Sequence, residues 1–225
     1  NPARGNALAP EDMLALAGIL DQAAAQVRAL VVRGAGDRAF CSGYDLSRMH
    51  DDDGGAASWP ERFPELVATV DAHRRFPWPM IACVNGPAIG GGALLASLCD
   101  LRIAAPHARF QIPASRIGVL YPVEGFRRLV ALVGTGRAAE LLLDGGSIDA
   151  ARALAWGLYN EVAADPEARA LALAASLAER APLAVRGIKE VLRRLDDGAA
   201  EADVDALHAG WSARCVASSD LVEGI

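Results

Sequence analysis

Apolar positions along this chain follow two different periods. Residues 80–84, Met-Ile-Ala-Cys-Val, form an unbroken apolar run of strand length, closed by Pro79 on one side and Asn85-Gly86-Pro87 on the other. A short apolar run followed by turn residues predicts a strand. Strands are likewise predicted over 29–33, 101–104 and 109–111. Apolar residues three and four apart predict helices over 10–26, 61–75, 92–97, 124–133 and 138–143. Strands alternating with helices define an α/β fold. From about residue 149 the pattern becomes helical throughout, over 150–156, 166–180, 184–194 and 199–218.

Composition narrows the function classes. With 225 residues, 52% of them hydrophobic, the chain has enough apolar material for one substantial core. A net charge of −6 without a basic block argues against a nucleic-acid partner. No apolar run reaches the roughly 18 residues of a membrane span, and no signal-like start is visible. Cys41, Cys83, Cys99 and Cys215 form no C-x-x-C pair and read as reduced thiols of a cytoplasmic protein, with Cys41 near enough to the candidate site to be alkylation-sensitive. His73 reads as a surface or ligand-facing residue of the 61–75 helix. Neither His107 nor His208 has a Cys or His neighbour, and His50 with Asp51, Asp52 and Asp53 reads as a solvated loop, so no metal site is expected.

The chemistry concentrates in residues 84–100, V-N-G-P-A-I-G-G-G-A-L-L-A-S-L-C-D. Gly90, Gly91 and Gly92 stand between a short strand and a small-residue helix, where backbone can approach a ligand closely. Unpaired N–H groups and the positive end of the helix dipole make such a start suited to an oxyanion. A second strand-and-turn segment, A-L-V-V-R-G-A-G-D-R-A, leads into F-C-S-G-Y-D-L at 40–46. Two such strand ends can place two backbone N–H groups on one carbonyl oxygen.

In this order, F-C-S-G-Y-D-L, N-G-P-A-I-G-G-G and C-D, together with N-A-L at 6–8 and the stretches 137–162 and 218–224, resemble the enoyl-CoA hydratase/isomerase (crotonase) superfamily. The resemblance implies a crotonase-like ββα spiral core with an acyl-CoA site over residues 1–165, and a C-terminal helical trimerisation portion over 166–225 in a homotrimer or hexamer. It implies an acyl-CoA thioester as partner, coenzyme A entering only as part of the substrate, with no other cofactor. Its oxyanion hole would use the N–H groups of Tyr44 and Gly91. The CoA moiety would pass Tyr44, Asp45, Leu46 and Ser47, with Gly90 and Gly91 on the thioester side. Asp45 also reads as a brace for its own turn. Ser47 stands where a lysine often helps hold phosphate, with Arg4, Arg48 or a residue beyond Ile225 as substitutes. By the same resemblance, strands ahead of Asn6 and a basic, aromatic tail after Ile225 are expected outside the given chain.

One departure redirects the reading. The two glutamates that activate water in hydrating members are matched here by Leu94 and Ala114, neither of which transfers a proton. Candidates for acid/base work are then Ser115, Arg116, Tyr121 and Glu124. In an apolar acyl pocket Glu124 would have a raised pKa suited to moving a proton between two carbons; alternatively, it is a helix-start carboxylate paired with Arg127 or Arg128. Tyr121 matches a tyrosine of decarboxylating members, and reads either as a group orienting a carboxylate or protonating an enolate, or as pocket wall. An isomerase is thus expected ahead of a hydratase, with an acyl-CoA decarboxylase and a non-catalytic CoA-thioester-binding protein as alternatives. Ile112, Ile117, Leu120, Tyr121 and Phe126 are expected to line the acyl portion. A hydrolase using Ser42, Ser97 or Ser115 is the weakest reading, for want of a G-x-S-x-G motif.

Overall fold

A computed structural model describes residues 1–45, 47 and 63–223. Its central sheet is parallel, in the order β1 (Leu30–Arg33), β2 (Met80–Val84), β4 (Leu101–Ala104) and β7 (Glu161–Val162). Leu30 pairs with Met80, Ile81 with Leu101 and Ile103 with Glu161. Alternation along β2 divides the interior. Met80, Ala82 and Val84 face the main core, whereas Ile81 and Cys83 meet Ile103 and, from helix α6 (Pro166–Ala178), Ala170. Both faces are therefore dry, which is why β2 reads as a continuous apolar run. A second, small sheet joins β3 (Ala88–Ile89), β5 (Arg109–Gln111) and β6 (Ser147–Asp149).

Helix α1 (Pro10–Ala23) packs against α2 (Pro64–Arg75), where the Thr69 hydroxyl donates to the Met13 carbonyl at 3.0 Å. Next come α3 (Gly91–Leu98), α4 (Val123–Ala139), α5 (Ala150–Ala155), α6, α7 (Pro182–Asp196), α8 (Glu201–Val216) and α9 (Ser219–Glu223). Proline opens α1, α2, α6 and α7, where the missing N–H costs no helical bond. Asp149 and Asp165 cap α5 and α6 by accepting from the Arg152 and Ala168 N–H groups.

Several expected boundaries move. The segments 124–133 and 138–143 belong to α4, kinked at Gly134 (φ 77°, ψ 160°), and to the wide turn Glu140–Asp144 that continues it. Strands β3, β6 and β7 have two or three residues each, too few for a period to register. The helical portion expected from residue 166 begins with α6, which covers the outer face of the central sheet and so is part of the core layer. Arg102 of β4 is buried to 2% exposure, donating to the Leu158, Cys99 and Asp100 carbonyls and to Asn160; burial pushes its guanidinium down to about 10. Among the described residues, no helix is long and apolar enough to cross a membrane.

Candidate active site

Residues 39–45 are threaded between two neighbours. On one side the Ser42 N–H donates to the Gly5 carbonyl, Leu8 N–H to Gly43 and Asp45 N–H to Leu8. On the other, Phe40 and Cys41 donate to the Pro87 carbonyl, and Ile89 N–H donates to Cys41. Two asparagines set this geometry. Asn6 donates to the Ala35 and Ala39 carbonyls, while Asn85 accepts from Gly34 N–H and donates to the Gly34 and Gly36 carbonyls.

Peptide planarity then aims two N–H groups. Because the Gly43 carbonyl points at Leu8, the Tyr44 N–H across the same trans peptide points the opposite way, toward the start of α3. The Gly90 carbonyl accepts from the Leu94 N–H at 3.0 Å and from the Tyr121 hydroxyl at 3.1 Å, so the Gly91 N–H is turned outward from the helix end. Gly43 has φ 100°, and a β-carbon on it would lie 2.7 Å from the Ile89 carbonyl oxygen and 3.1 Å from the Gly91 nitrogen. A side chain at 43 would thus press on the Ile89 carbonyl and on the Gly91 nitrogen. A β-carbon on Gly92 would lie 2.1 Å from the Cys41 carbonyl oxygen, so only glycine lets α3 approach this segment.

Beside these groups opens a pocket. It is lined by hydrocarbon from Leu66, Leu94, Ile112, Ala114, Ile117, Val119, Leu120 and Tyr121, together with Ser42, Tyr44, Gly90 and Gly91. No carboxylate stands among these described lining residues. Leu94 and Ala114 do line the pocket, so the side chains at the hydratase glutamate positions face its interior as hydrocarbon. Phe126, expected in the wall, sits behind Tyr121 with ring centroids 6.4 Å apart.

Glu124 is not among the residues that line this pocket. Its carboxylate is held by Arg74 and approached by Arg127 at 4.0 Å, at the edge of a charged cavity between α2, α4 and α7. The alternative of a helix-start carboxylate paired with Arg127 fits this geometry, with Arg74 as the nearer partner, and Glu124 also borders a cavity lined by Leu66, Leu120 and Tyr121. Tyr121 lies in the pocket wall, yet its hydroxyl donates to the Gly90 carbonyl and burial pushes its phenol well above the ordinary range. A group so held is poorly disposed to give a proton to an enolate. Arg116 turns away to the Asp144 carbonyl at 2.9 Å. The carboxylate that does connect with the pocket is Glu65, buried at 7% exposure, which accepts from the Tyr44 hydroxyl at 3.1 Å. Sequence reading missed it because Glu65 sits in the first turn of a helix, where an acidic residue is expected on dipole grounds alone.

Other residues resolve as follows. Asp45 braces its turn: hydrogen bonds from Ser47, then the Arg4 guanidinium at 2.7 Å, hold its carboxyl below the ordinary value. Arg4 is accordingly engaged with Asp45, while Leu46, Arg48, His50 and Asp51 to Asp53 lie outside the described residues. Cys41 is 4% exposed and its thiol is pushed up to about 11 by burial, which overturns the expected sensitivity to alkylation. His73, expected at the surface or facing the ligand, is 3% exposed; Nδ1 faces the Thr69 carbonyl at 2.8 Å and Nε2 has no partner among the described residues. Desolvation lowers it to about 4.

A spiral of short parallel strands, closed by helices and carrying its pocket where the 39–45 segment meets a glycine-opened helix, is the crotonase fold. The chain belongs to the enoyl-CoA hydratase/isomerase family, whose model matches residues 1–225, and it is an acyl-CoA enzyme of that family. It is 42% identical over 201 residues to a probable enoyl-CoA hydratase of Mycobacterium bovis, covering 89% of this chain and 78% of that protein. To a 2,3-dehydroadipyl-CoA hydratase of Escherichia coli it is 35% identical over 204 residues, covering 89% and 78%. Among solved structures, an enoyl-CoA hydratase subunit from Geobacillus kaustophilus superposes with a TM-score of 0.90 at 32% identity, covering 100% of this chain and 86% of that one.

Proposed function

We propose that the pocket binds an acyl-CoA thioester with its carbonyl oxygen between the Tyr44 and Gly91 N–H groups, stabilises negative charge there, and does not hydrate 2-enoyl thioesters. The observation carrying this reading is an N–H pair aimed into a pocket whose described walls bear Leu94 and Ala114 and no carboxylate. Fixed donors at a developing oxyanion are worth about 2.7–4 kcal/mol each.

Isomerisation through Glu124 loses its motive, since that carboxylate is paired with Arg74. Decarboxylation of a malonyl-type thioester suits the walls best. Breaking the carbon–carbon bond releases CO2 and leaves its electron pair in the enolate, so no base is needed; a proton from water then completes the α-carbon. A second reading, thioester binding without turnover, is favoured by the commitment of the Tyr121 hydroxyl to Gly90. A homotrimer or hexamer belongs to this proposal, supported by the exposed stripe Ile188, Leu192 and Leu195 on α7.

The test is incubation with 2-enoyl-, 3-enoyl- and malonyl-type CoA thioesters in deuterated water, followed by mass spectrometry. Loss of CO2 with one deuterium at the α-carbon supports the decarboxylase. Binding of all three without turnover supports the second reading, and addition of water to the 2-enoyl thioester contradicts the proposal.

A further inference from the structure

The Gly90–Gly91 peptide is gripped at its carbonyl by a side chain from another part of the fold. The Tyr121 hydroxyl, 31 residues away, donates to the Gly90 oxygen at 3.1 Å, in addition to the helical bond from Leu94. The Gly90 N–H is itself tied to the Gln111 carbonyl at 2.9 Å. Tyr121 is in turn fixed: a β-carbon on Gly125 would fall 2.2 Å from its Cε1, so the ring lies flat on the first turn of α4, with Phe126 at its edge. At 7% exposure the hydroxyl has little access to competing water.

We infer that Tyr121 is a positioning residue, which orients the Gly90–Gly91 peptide and polarises it so that the Gly91 N–H becomes a stronger donor to the thioester oxygen. The physical basis is cooperativity. A hydrogen bond accepted by an amide carbonyl shifts electron density from the nitrogen toward the oxygen, and strengthens the N–H bond donated on the other side by about 10–30%. The role differs from acid catalysis, because the phenolic proton stays on Tyr121 throughout and the ring touches the acyl chain only as wall.

This inference rests on the proposed thioester site, and the experiment separates the two. Hexanoyl-CoA labelled with 13C at the thioester carbonyl is bound to the wild-type protein and to Tyr121→Phe, and the carbonyl stretch is read by difference infrared spectroscopy. Wild type is expected to lower the stretching frequency relative to free hexanoyl-CoA. Tyr121→Phe, whose ring still fills the wall, is expected to lose about 10–30% of that lowering and to bind at most about 2-fold more weakly, the same fraction of one hydrogen bond. Incorporation of 3-fluorotyrosine at position 121 keeps the ring and makes the hydroxyl a better donor, so the frequency should drop below that of wild type. These opposite shifts are not expected of a residue that only packs, and the fluorinated protein keeps the test open where Tyr121→Phe fails to fold. Equal frequencies in all three proteins, with wild type lowered, overturn the role of Tyr121. An unshifted wild type overturns the thioester site itself, and this inference with it.

Discussion

Two cavities of this molecule are built from opposite materials. The acyl pocket is made of backbone and hydrocarbon: its directed polar groups are peptide N–H groups, placed by Asn6, Asn85 and glycines that allow close approach. The cavity under α7 is made of charged side chains. There Arg74 bonds Glu124 and Asp197, Arg128 bonds Asp196 at 2.6 Å, Lys189 bonds Asp100 at 2.8 Å, and Arg193 bonds the Arg74 carbonyl. The contrast teaches that in this fold the titratable inventory does not mark the reactive pocket. Charges gather where the C-terminal helices latch onto the core, and the described lining of the pocket bears no charged side chain.

The comparison breaks most visibly at Gly43. Gly43→Val, which places a side chain against the Gly91 nitrogen, is expected to weaken hexanoyl-CoA binding by more than about 12-fold, the upper scale of one lost hydrogen bond, because the side chain also intrudes sterically, as read by isothermal titration. An unchanged affinity would separate the N–H pair from ligand binding altogether.

The charged cavity should respond to pH. His73 is buried neutral and lowered to about 4 from an ordinary 6.5, so below pH 6.5 the unfolded chain takes up a proton that the folded chain refuses. Stability present above pH 6.5 is then lost as the pH falls toward 4, by about 3 kcal/mol in total. Lys189 opposes and Asp100 favours its protonation. Urea titrations across this range should show the loss, and His73→Gln should flatten it.

A smaller effect is expected at the frame of the pocket. Asn85→Ala removes three hydrogen bonds to Gly34 and Gly36 and should cost about 2 kcal/mol in denaturant unfolding. The smallest sharpens the contrast. Glu124→Gln keeps the shape but weakens the pairing with Arg74, and should cost about 1 kcal/mol of stability while leaving hexanoyl-CoA affinity within about twofold. A large fall in affinity would return Glu124 to the pocket.

The sequence was most legible where local rules decide structure. The strand β2 and the glycine run at the start of α3 could be read from composition and period, whereas α2 and α7 open at Pro64 and Pro182, off the expected starts at 61 and 184. The proposed pairing of Tyr44 with Gly91 is what the ordered motifs imply, and the geometry supports it by closeness: a β-carbon on Gly91 would lie 3.2 Å from the Tyr44 nitrogen. What could not be read were directions of side chains at element ends. Glu124 lies a helical turn from the pocket wall, and whether it points toward the acyl chain or toward Arg74 depends on where α2 and α7 pack, which no local pattern encodes. His73 was hidden for the same reason. Its neighbours Arg74 and Arg75 suggest a surface, yet the face it occupies is roofed by a helix more than a hundred residues later.

The most direct test of the central claim is a crystal structure with hexanoyl-CoA bound. The account predicts the thioester oxygen at about 3 Å from both the Tyr44 and Gly91 nitrogens, with the acyl chain against Leu94 and Ala114. A thioester seated elsewhere, or an oxygen that meets neither nitrogen, would contradict it.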